Sequence, residues 1–191
     1  MNRVEMFHDD TLGAAEFEKY ERMWSVPEYS DYSPGETLVD TFMEMTGAQK
    51  GDSVIDLGCG TGRATSALQE KGLRATGFDI TPKGLQETIH FRQGCLWRKI
   101  GGQYDHGYCC DVMEHIPIEF TMLVLHQISL VTPNLFLQIC NIPDGFGRAI
   151  GEPLHLSVMP FQWWKAHLES FGEVLDARDL LTSSVFHVRF A

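Results

Sequence analysis

The chain has 191 residues, of which 43% are hydrophobic and 21% are charged, and this composition fits a single globular domain with a core of its own. Its formal net charge is −11 and it contains no basic run, which argues against nucleic acid as a partner because that binding depends on Lys and Arg. The N-terminal residues lack the apolar segment of a signal peptide, no run of about 20 apolar residues could span a membrane, and the five scattered cysteines suit reduced thiols; together these features predict a cytoplasmic protein with no membrane partner.

Two helices are predicted before the first strand. The first covers residues 11–24 and has a loosely apolar face, and an irregular segment with prolines follows it. The second covers residues 36–46, and Gly47 is a natural stop for it. Both helices precede the stretch that carries the strongest motif.

That motif is VIDLGCGTGRAT, residues 54–65. A short apolar strand carries one carboxylate, Asp56, and a helix begins near Arg63. Between them lie Gly58, Gly60 and Gly62. Glycine at such positions permits positive φ angles and lets a ligand approach the backbone. A strand, a glycine turn and a helix in this order predict a ligand-binding loop.

The spacing of the motif discriminates between two classes of nucleotide. In a dinucleotide fingerprint the third small residue lets the helix pack close to the strand, and here that position is Arg63. A second carboxylate, Asp79, ends the next apolar strand, where a doubly wound fold places a ribose-binding acid. Asp56 would repel a pyrophosphate but suits a cationic ligand with an amino group. The two acids therefore predict a nucleoside that carries positive charge.

The remaining elements alternate between helices and strands. Helices are predicted at residues 82–90, 119–131 and 161–171, and strands at 91–97, 104–110, 134–142, 174–177 and 185–190. The last two strands are expected to pair as a hairpin. The longest irregular stretch, residues 141–160, follows a central strand at its carboxyl end, where α/β proteins place substrate loops.

The predicted strand at residues 104–110 ends in two cysteines, which are potential metal ligands. Cys109 and Cys110 are adjacent, so their side chains face opposite sides of the strand and cannot both bind one ion. We expect no metal site.

The motifs resemble those of a known family. The segments VIDLGCGTG, GFDI with Asp79, and YDHGYCCDVMEHIP resemble the first, second and fourth motif regions of the class I S-adenosylmethionine-dependent methyltransferases, over roughly residues 35–191. The resemblance implies an α/β fold, a Rossmann-like three-layer sandwich with a mostly parallel central sheet and an antiparallel last strand. It also implies S-adenosylmethionine as the cofactor.

The resemblance further implies two functional parts. Residues 35–191 would form the cofactor-binding core, with an acceptor loop at about 141–160, and residues 1–34 would form an N-terminal helix and lid over the active site. Candidate lid residues are Trp24, Tyr29 and Tyr32. These aromatic side chains would equally serve to cover an edge of the sheet.

Cofactor-binding residues follow from the same resemblance. They are Asp56, Gly58, Cys59, Gly60, Gly62, Asp79, Ile80, Cys95, Leu96, Cys110 and His115. Asp56 would lie near the methionine amino group, and Asp79 would accept both ribose hydroxyls. Cys95 stands where the family has an Asp that bonds the adenine amino group, so recognition is expected to shift to the backbone of Cys95 and Leu96, with Trp97 available for stacking.

The expected activity is methyl transfer to an O or N atom of a small-molecule acceptor. The small size, the acidic charge and the absence of the motifs of DNA methyltransferases after the fourth strand favour such an acceptor over a polymer. His155, in the acceptor loop, is the first candidate for a general base and His115 the second, although each would equally suit a structural role. Two alternatives are a non-catalytic regulatory protein that binds the cofactor and, less favoured because of Arg63 and Asp56, an NAD-dependent oxidoreductase.

Overall fold

The structure, a computed structural model, describes residues 10–31 and 33–190. One candidate lid residue, Tyr32, lies outside the described residues. Within them no helix is long and apolar enough to cross a membrane.

Helices and strands alternate along most of the described chain. The α-helices are α1 (Thr11–Met23), α2 (Pro27–Ser30), α3 (Val39–Thr46), α4 (Arg63–Glu70), α5 (Thr121–Ser129) and α6 (Phe161–Glu169). The strands are β1 (Ser53–Leu57), β2 (Arg74–Asp79), β3 (Phe91–Gln93), β4 (His106–Cys110), β5 (Asn134–Cys140), β6 (Glu173–Asp179) and β7 (Ser183–Arg189). Short 3-10 turns cover Pro34–Leu38, Met113–His115, Ile118–Phe120 and Gly147–Ala149.

The strands form one seven-stranded sheet in the order β3-β2-β1-β4-β5-β7-β6. The first five pair in parallel, and β7 is antiparallel to both of its neighbours. The strand order reverses between β1 and β4, so a crevice opens above the carboxyl ends of these strands. This arrangement confirms the expected mostly parallel α/β sheet with an antiparallel last strand.

Apolar side chains cover both faces of the sheet. On one face α3 and α4 pack Phe42 and Leu68 against strand residues such as Val54. On the other face α5 and α6 pack Leu125 and Trp164 against a larger set of strand residues. The strand residues of this larger set include Ile55, Leu57, Leu135, Leu137 and Phe186. Because successive strand side chains alternate between the faces, the central strands read as nearly continuous apolar runs.

One predicted helix does not form. Residues 82–90 are turns instead. Thr81 does accept the backbone N–H of Lys83 at its hydroxyl, 3.1 Å away, as expected of a capping residue. Gly84 then adopts φ +75°, and the N–H of Gln86 donates to the carbonyl of Thr61, 3.1 Å away. The segment thus bonds to the glycine loop rather than to itself, which prevents a helical ladder.

Candidate functional site

A cavity lies above the carboxyl ends of β1, β2 and β4, with an empty space of about 1000 Å³ including its mouth. Most of the predicted cofactor-binding residues line it. They are Asp56, Gly58, Cys59, Gly60, Asp79, Ile80, Cys95, Leu96, Cys110 and His115. The topology therefore brings together residues from five separate parts of the sequence, at the switch point of the sheet where α/β folds bind ligands.

Gly62 alone among the predicted set is not part of the cavity wall. It precedes α4 with φ +82°, and a Cβ at this position would overlap Cδ1 of Ile89. Its backbone conformation and its packing both favour glycine. Gly62 therefore shapes the loop, and its predicted role in cofactor binding stays a prediction.

Two buried carboxylates flank the glycine loop. Asp56 accepts the hydroxyl of Thr65 at 2.5 Å, and burial raises the pKa of Asp56 to about 7. Asp79 accepts the backbone N–H groups of Gly60, at 2.9 Å, and Thr81, at 3.2 Å; burial raises the pKa of Asp79 to about 6. Among the described residues no ion pair reaches either acid. A ligand that brings positive charge and hydroxyl donors would complete this site.

The side of the cavity nearest β3 is formed by Cys95 and its two successors. The thiol of Cys95 is buried, which raises its pKa to about 12, so that it stays a neutral and weak hydrogen-bonding group. Trp97 also lines the cavity, and its Nε1 donates to Oδ2 of Asp10 at 3.1 Å. Arg98 donates to the same oxygen at 2.9 Å, so the start of α1 is fixed to this side.

Helix α1 lies across the cavity and is attached at both of its ends. Asp10 caps it, accepting the N–H of Gly13 at 2.8 Å, and holds Trp97 and Arg98 as described. Near its other end Arg22 pairs with Glu152 of the loop at residues 141–160. The helix therefore bridges opposite rims of the crevice.

The aromatic side chains of this region point into the cavity. Trp24 lies over the glycine loop, since a Cβ on Gly60 would fall 2.6 Å from Cη2 of the indole. Trp24 packs on Tyr29 with ring centroids 4.7 Å apart, and Tyr29 contacts Phe146 at 5.6 Å. Trp24 and Tyr29 both line the cavity, which is the placement expected of lid residues.

The two candidate histidines occupy different positions. His115 lines the cavity, and its Nδ1 lies 2.9 Å from the hydroxyl of Tyr20. Its Nε2 is buried without a hydrogen-bond partner among the described residues, and burial lowers the pKa of His115 to about 3. His155 is not one of the residues that line this cavity. Its ring centroid lies 4.7 Å from that of His115, and its Nδ1 donates to the carbonyl of Ile142 at 2.7 Å. The structure thus places the second candidate, not the first, beside the ligand space.

Sequence reasoning missed Tyr20. It lines the cavity together with Trp24, which lies four residues later, directly after the last residue of α1. Residues four apart lie on the same face of a helix, so the assignment of Trp24 to the lid was the signal that could have identified Tyr20.

A family model described as a methyltransferase domain matches residues 32–180 of this chain. The ubiquinone biosynthesis O-methyltransferase of Bordetella avium is 28% identical over 170 residues, which cover 76% of this chain and 70% of that protein. The chain spans about half the length of several other relatives, for example 51% of the ubiquinone biosynthesis O-methyltransferase of Bordetella pertussis. The magnesium-protoporphyrin O-methyltransferase of Synechocystis is 31% identical over 97 residues, covering 44% of this chain and 42% of that protein.

Solved structures share the fold. The magnesium protoporphyrin IX methyltransferase from Synechocystis, crystallised with bound SAM, aligns with a TM-score of 0.64 at 19% identity, covering 100% of this chain and 98% of that one. A protein from Pyrococcus horikoshii aligns with a TM-score of 0.66 at 15% identity, covering 82% of this chain and 89% of that one. The glycine loop, the order of the strands and the match to most of the chain agree, and this chain belongs to the methyltransferase-domain family.

Proposed function

We propose that the chain transfers the methyl group of S-adenosylmethionine to an oxygen atom of a small-molecule acceptor. The observation that carries this proposal is the pair of buried acids, Asp56 and Asp79, beside the glycine loop, for which the described part of the chain supplies no ion-pair partner. The cofactor would bring its amino group to Asp56 and its ribose hydroxyls to Asp79. The names of the relatives support oxygen as the methylated atom.

The chemical step requires orientation more than proton transfer. Methyl transfer is an in-line displacement at the sulfonium carbon, for which the cofactor supplies the electrophile and the protein aligns the nucleophile. Under this proposal α1, with Trp24 and Tyr29, closes over the cofactor and keeps water from the reacting atoms. The alignment of the acceptor would then fall to side chains at the end of β4.

We assign that alignment to His115. A histidine whose pKa lies near 3 is neutral at physiological pH and is a weak general base, because burial destabilises its charged form. Its Nε2 is buried and has no hydrogen-bond partner among the described residues, so a small shift of the ring toward the cavity would let it hydrogen-bond an acceptor oxygen, while Tyr20 lies against Nδ1. This role suits an acceptor oxygen that is acidic enough to ionise near neutral pH. His155, one ring further back, would support His115.

The test is a turnover assay on a panel of acceptors. The purified chain would be given S-adenosylmethionine with phenols, carboxylic acids, alcohols and amines, and formation of S-adenosylhomocysteine would be measured. We expect turnover with an acidic oxygen acceptor, and in His115→Ala a loss of kcat that is larger than any loss of cofactor affinity. Tight cofactor binding without turnover on any acceptor would instead favour the non-catalytic regulatory protein. Binding of NAD in place of S-adenosylmethionine would favour the oxidoreductase.

A further inference from the structure

Four potential metal ligands converge near the carboxyl ends of β4 and β5, beside the cavity. They are Asp111, Glu114, Cys140 and His155. Each offers one ligand atom, and these atoms all lie within 4.8 Å of one another. Ligand atoms arranged tetrahedrally about a zinc ion at about 2.0–2.3 Å lie roughly 3.3–3.8 Å apart, so modest side-chain adjustments would bring all four onto one ion.

The backbone arrangement that positions the two acids is unusual. Asp111 follows β4 directly and has φ +60°, a left-handed conformation that is uncommon for residues other than glycine. Its N–H donates to the carbonyl of Gln138 on β5 at 3.0 Å, which fixes the turn. Glu114 lies in the next 3-10 turn and is fully buried. This conformation, which Asp tolerates better than most residues, sets the position of the Asp111 carboxyl group relative to Glu114.

The carboxyl group of Glu114 is only half satisfied. Its Oε1 accepts the backbone N–H of Cys140 at 2.7 Å. Its Oε2 is buried and has no hydrogen-bond partner within residues 10–31 and 33–190. No Lys or Arg in the same ranges forms an ion pair with Glu114 or Asp111. A buried carboxyl group beside a half-buried one, as Glu114 is beside Asp111, favours either a shared proton or a cation.

The other two side chains favour a metal cation over a proton. The carbonyl of Ile142 can only accept, so Nδ1 of His155, 2.7 Å away, carries the hydrogen and Nε2 holds the lone pair. Metal-binding histidines commonly have this arrangement, in which the second ring nitrogen donates to a carbonyl or carboxylate. Cys140 adds a sulfur atom, and a mixed set of nitrogen, oxygen and sulfur ligands suits zinc better than magnesium or calcium.

We propose that Asp111, Glu114, Cys140 and His155 bind one divalent transition-metal ion, for which Zn²⁺ is the best match. The ion would join the ends of β4 and β5 to the loop at residues 141–160. Asp111 also lines the cavity, so the ion would lie beside the space for the acceptor. Neither Cys109 nor Cys110, the adjacent pair at which no metal site was expected, is a ligand in this site. The site gives His155 the role of a ligand.

Zinc itself is the probe for the first experiment. The full chain would be stripped with a chelator, given ZnCl₂, desalted and analysed for retained zinc by mass spectrometry, and its affinity would be measured by competition with a chromophoric chelator. We expect stoichiometric zinc in the parent chain. Glu114→Gln and His155→Ala should each weaken zinc affinity by more than the roughly 10–100-fold typical of losing a partner of a ligand.

Cobalt distinguishes the sulfur ligand. In the Co²⁺-loaded parent we expect a near-ultraviolet sulfur-to-cobalt charge-transfer band, which Cys140→Ser should abolish. Cys110→Ser and His126→Ala serve as matched controls, because the first changes a neighbouring thiol outside the set and the second an exposed histidine on α5. Both should retain zinc and the cobalt band.

Two outcomes would overturn the proposal. One is a parent chain that does not retain zinc, and the other is equal retention by the parent, Glu114→Gln and His155→Ala; in either case the carboxyl pair would share a proton instead. Should Glu114→Gln fail to fold, His155→Ala still decides, because this ring is partly exposed and circular dichroism can confirm its fold. Metal binding is measured without cofactor or acceptor, so its failure is separate from failure of methyl transfer.

Discussion

At the scale of single residues, Asp79 has two tasks. It holds the glycine loop through Gly60 and leaves lone pairs directed at the cavity. We expect Asp79→Ala to weaken S-adenosylmethionine binding by about 1–3 kcal/mol, because the ribose hydroxyls and the loop N–H lose their charged partner. Titration calorimetry would measure this change. Asp79→Asn keeps an acceptor for Gly60 and is the control for loop geometry; unchanged affinity in both variants would refute the placement of the ribose.

The second prediction at this scale concerns Gly60. In Gly60→Ala the new methyl group would meet the indole of Trp24, so the loop or Trp24 must move and cofactor affinity should fall at least about tenfold, or about 1.4 kcal/mol. Gly47→Ala is the matched control, since Gly47 also has a positive φ, +71°, but a Cβ there meets nothing within 4 Å. It should cost about 1–2 kcal/mol of stability and leave affinity unchanged. Equal affinity losses in the two variants would show that backbone strain, not the contact with Trp24, is responsible.

Residues also show where sequence reasoning reached its limit within the site. The spacing predicts the ligand loop and both acids, and the structure places them on one cavity wall, because the loop and its acids depend mainly on neighbours in the sequence. The sequence did not indicate which of His115 and His155 lines the cavity, since this depends on how residues 141–160 fold back onto β4. The helical spacing from Trp24 could have indicated that Tyr20 lines the cavity, but not its contact with His115, which lies 95 residues away.

At the scale of elements, α1 is held by contacts at its two ends. Asp10→Ala would remove the cap and the bonds to Trp97 and Arg98, which should cost about 1 kcal/mol of stability and speed the dissociation of the cofactor. Stopped-flow fluorescence would follow the release, with Trp24 over the loop as a natural reporter.

The control for α1 is Arg178→Ala. This half-exposed residue pairs with Glu44 and Asp176, neither of which lines the cavity, so cofactor release should not change. Equal release rates in Asp10→Ala and the parent chain would contradict the role of α1 as a lid.

The elements predicted from the sequence were mostly correct in kind. Strong apolar runs such as β5, and helices with a clear stop such as Gly47 after α3, can be predicted from nearby residues alone. Their observed bounds differ from the predicted ones by a few residues. The helix predicted at residues 82–90 was wrong, because Gly84 and the bond from Gln86 to the glycine loop outweigh the local capping signal. A contact between distant segments was not visible in the pattern.

At the scale of the whole molecule, stability depends on pH through the buried acids. The folded-state pKa values of Asp56 and Asp79 are about 7 and about 6, above those of the unfolded chain, so the folded state binds more protons between about pH 4 and pH 7. Their contribution to stability is therefore greatest below about pH 4 and is lost as the pH rises through about 6 to 7.

We expect this dependence to appear in denaturant unfolding. Between about pH 5 and pH 8 the parent chain should lose more stability than Asp56→Asn, which cannot ionise at this position. Cofactor should stabilise the parent more at the higher pH, since its positive charge favours the ionised acids. Parallel pH profiles for the parent and Asp56→Asn would contradict burial of a titrating carboxyl group at position 56.

The attachment of α1 has a consequence for how such a protein could diversify. The family match begins at residue 32, after α1, yet α1 and the residue that follows it supply Tyr20 and Trp24 to the cavity wall. Helix α1 adds no strand to the sheet and is held by side-chain contacts at its two ends, so it is a separable addition to the sheet and its covering helices. We expect that replacing α1 with the corresponding segment of a relative would change which methyl acceptor is used, while the chain still binds the cofactor.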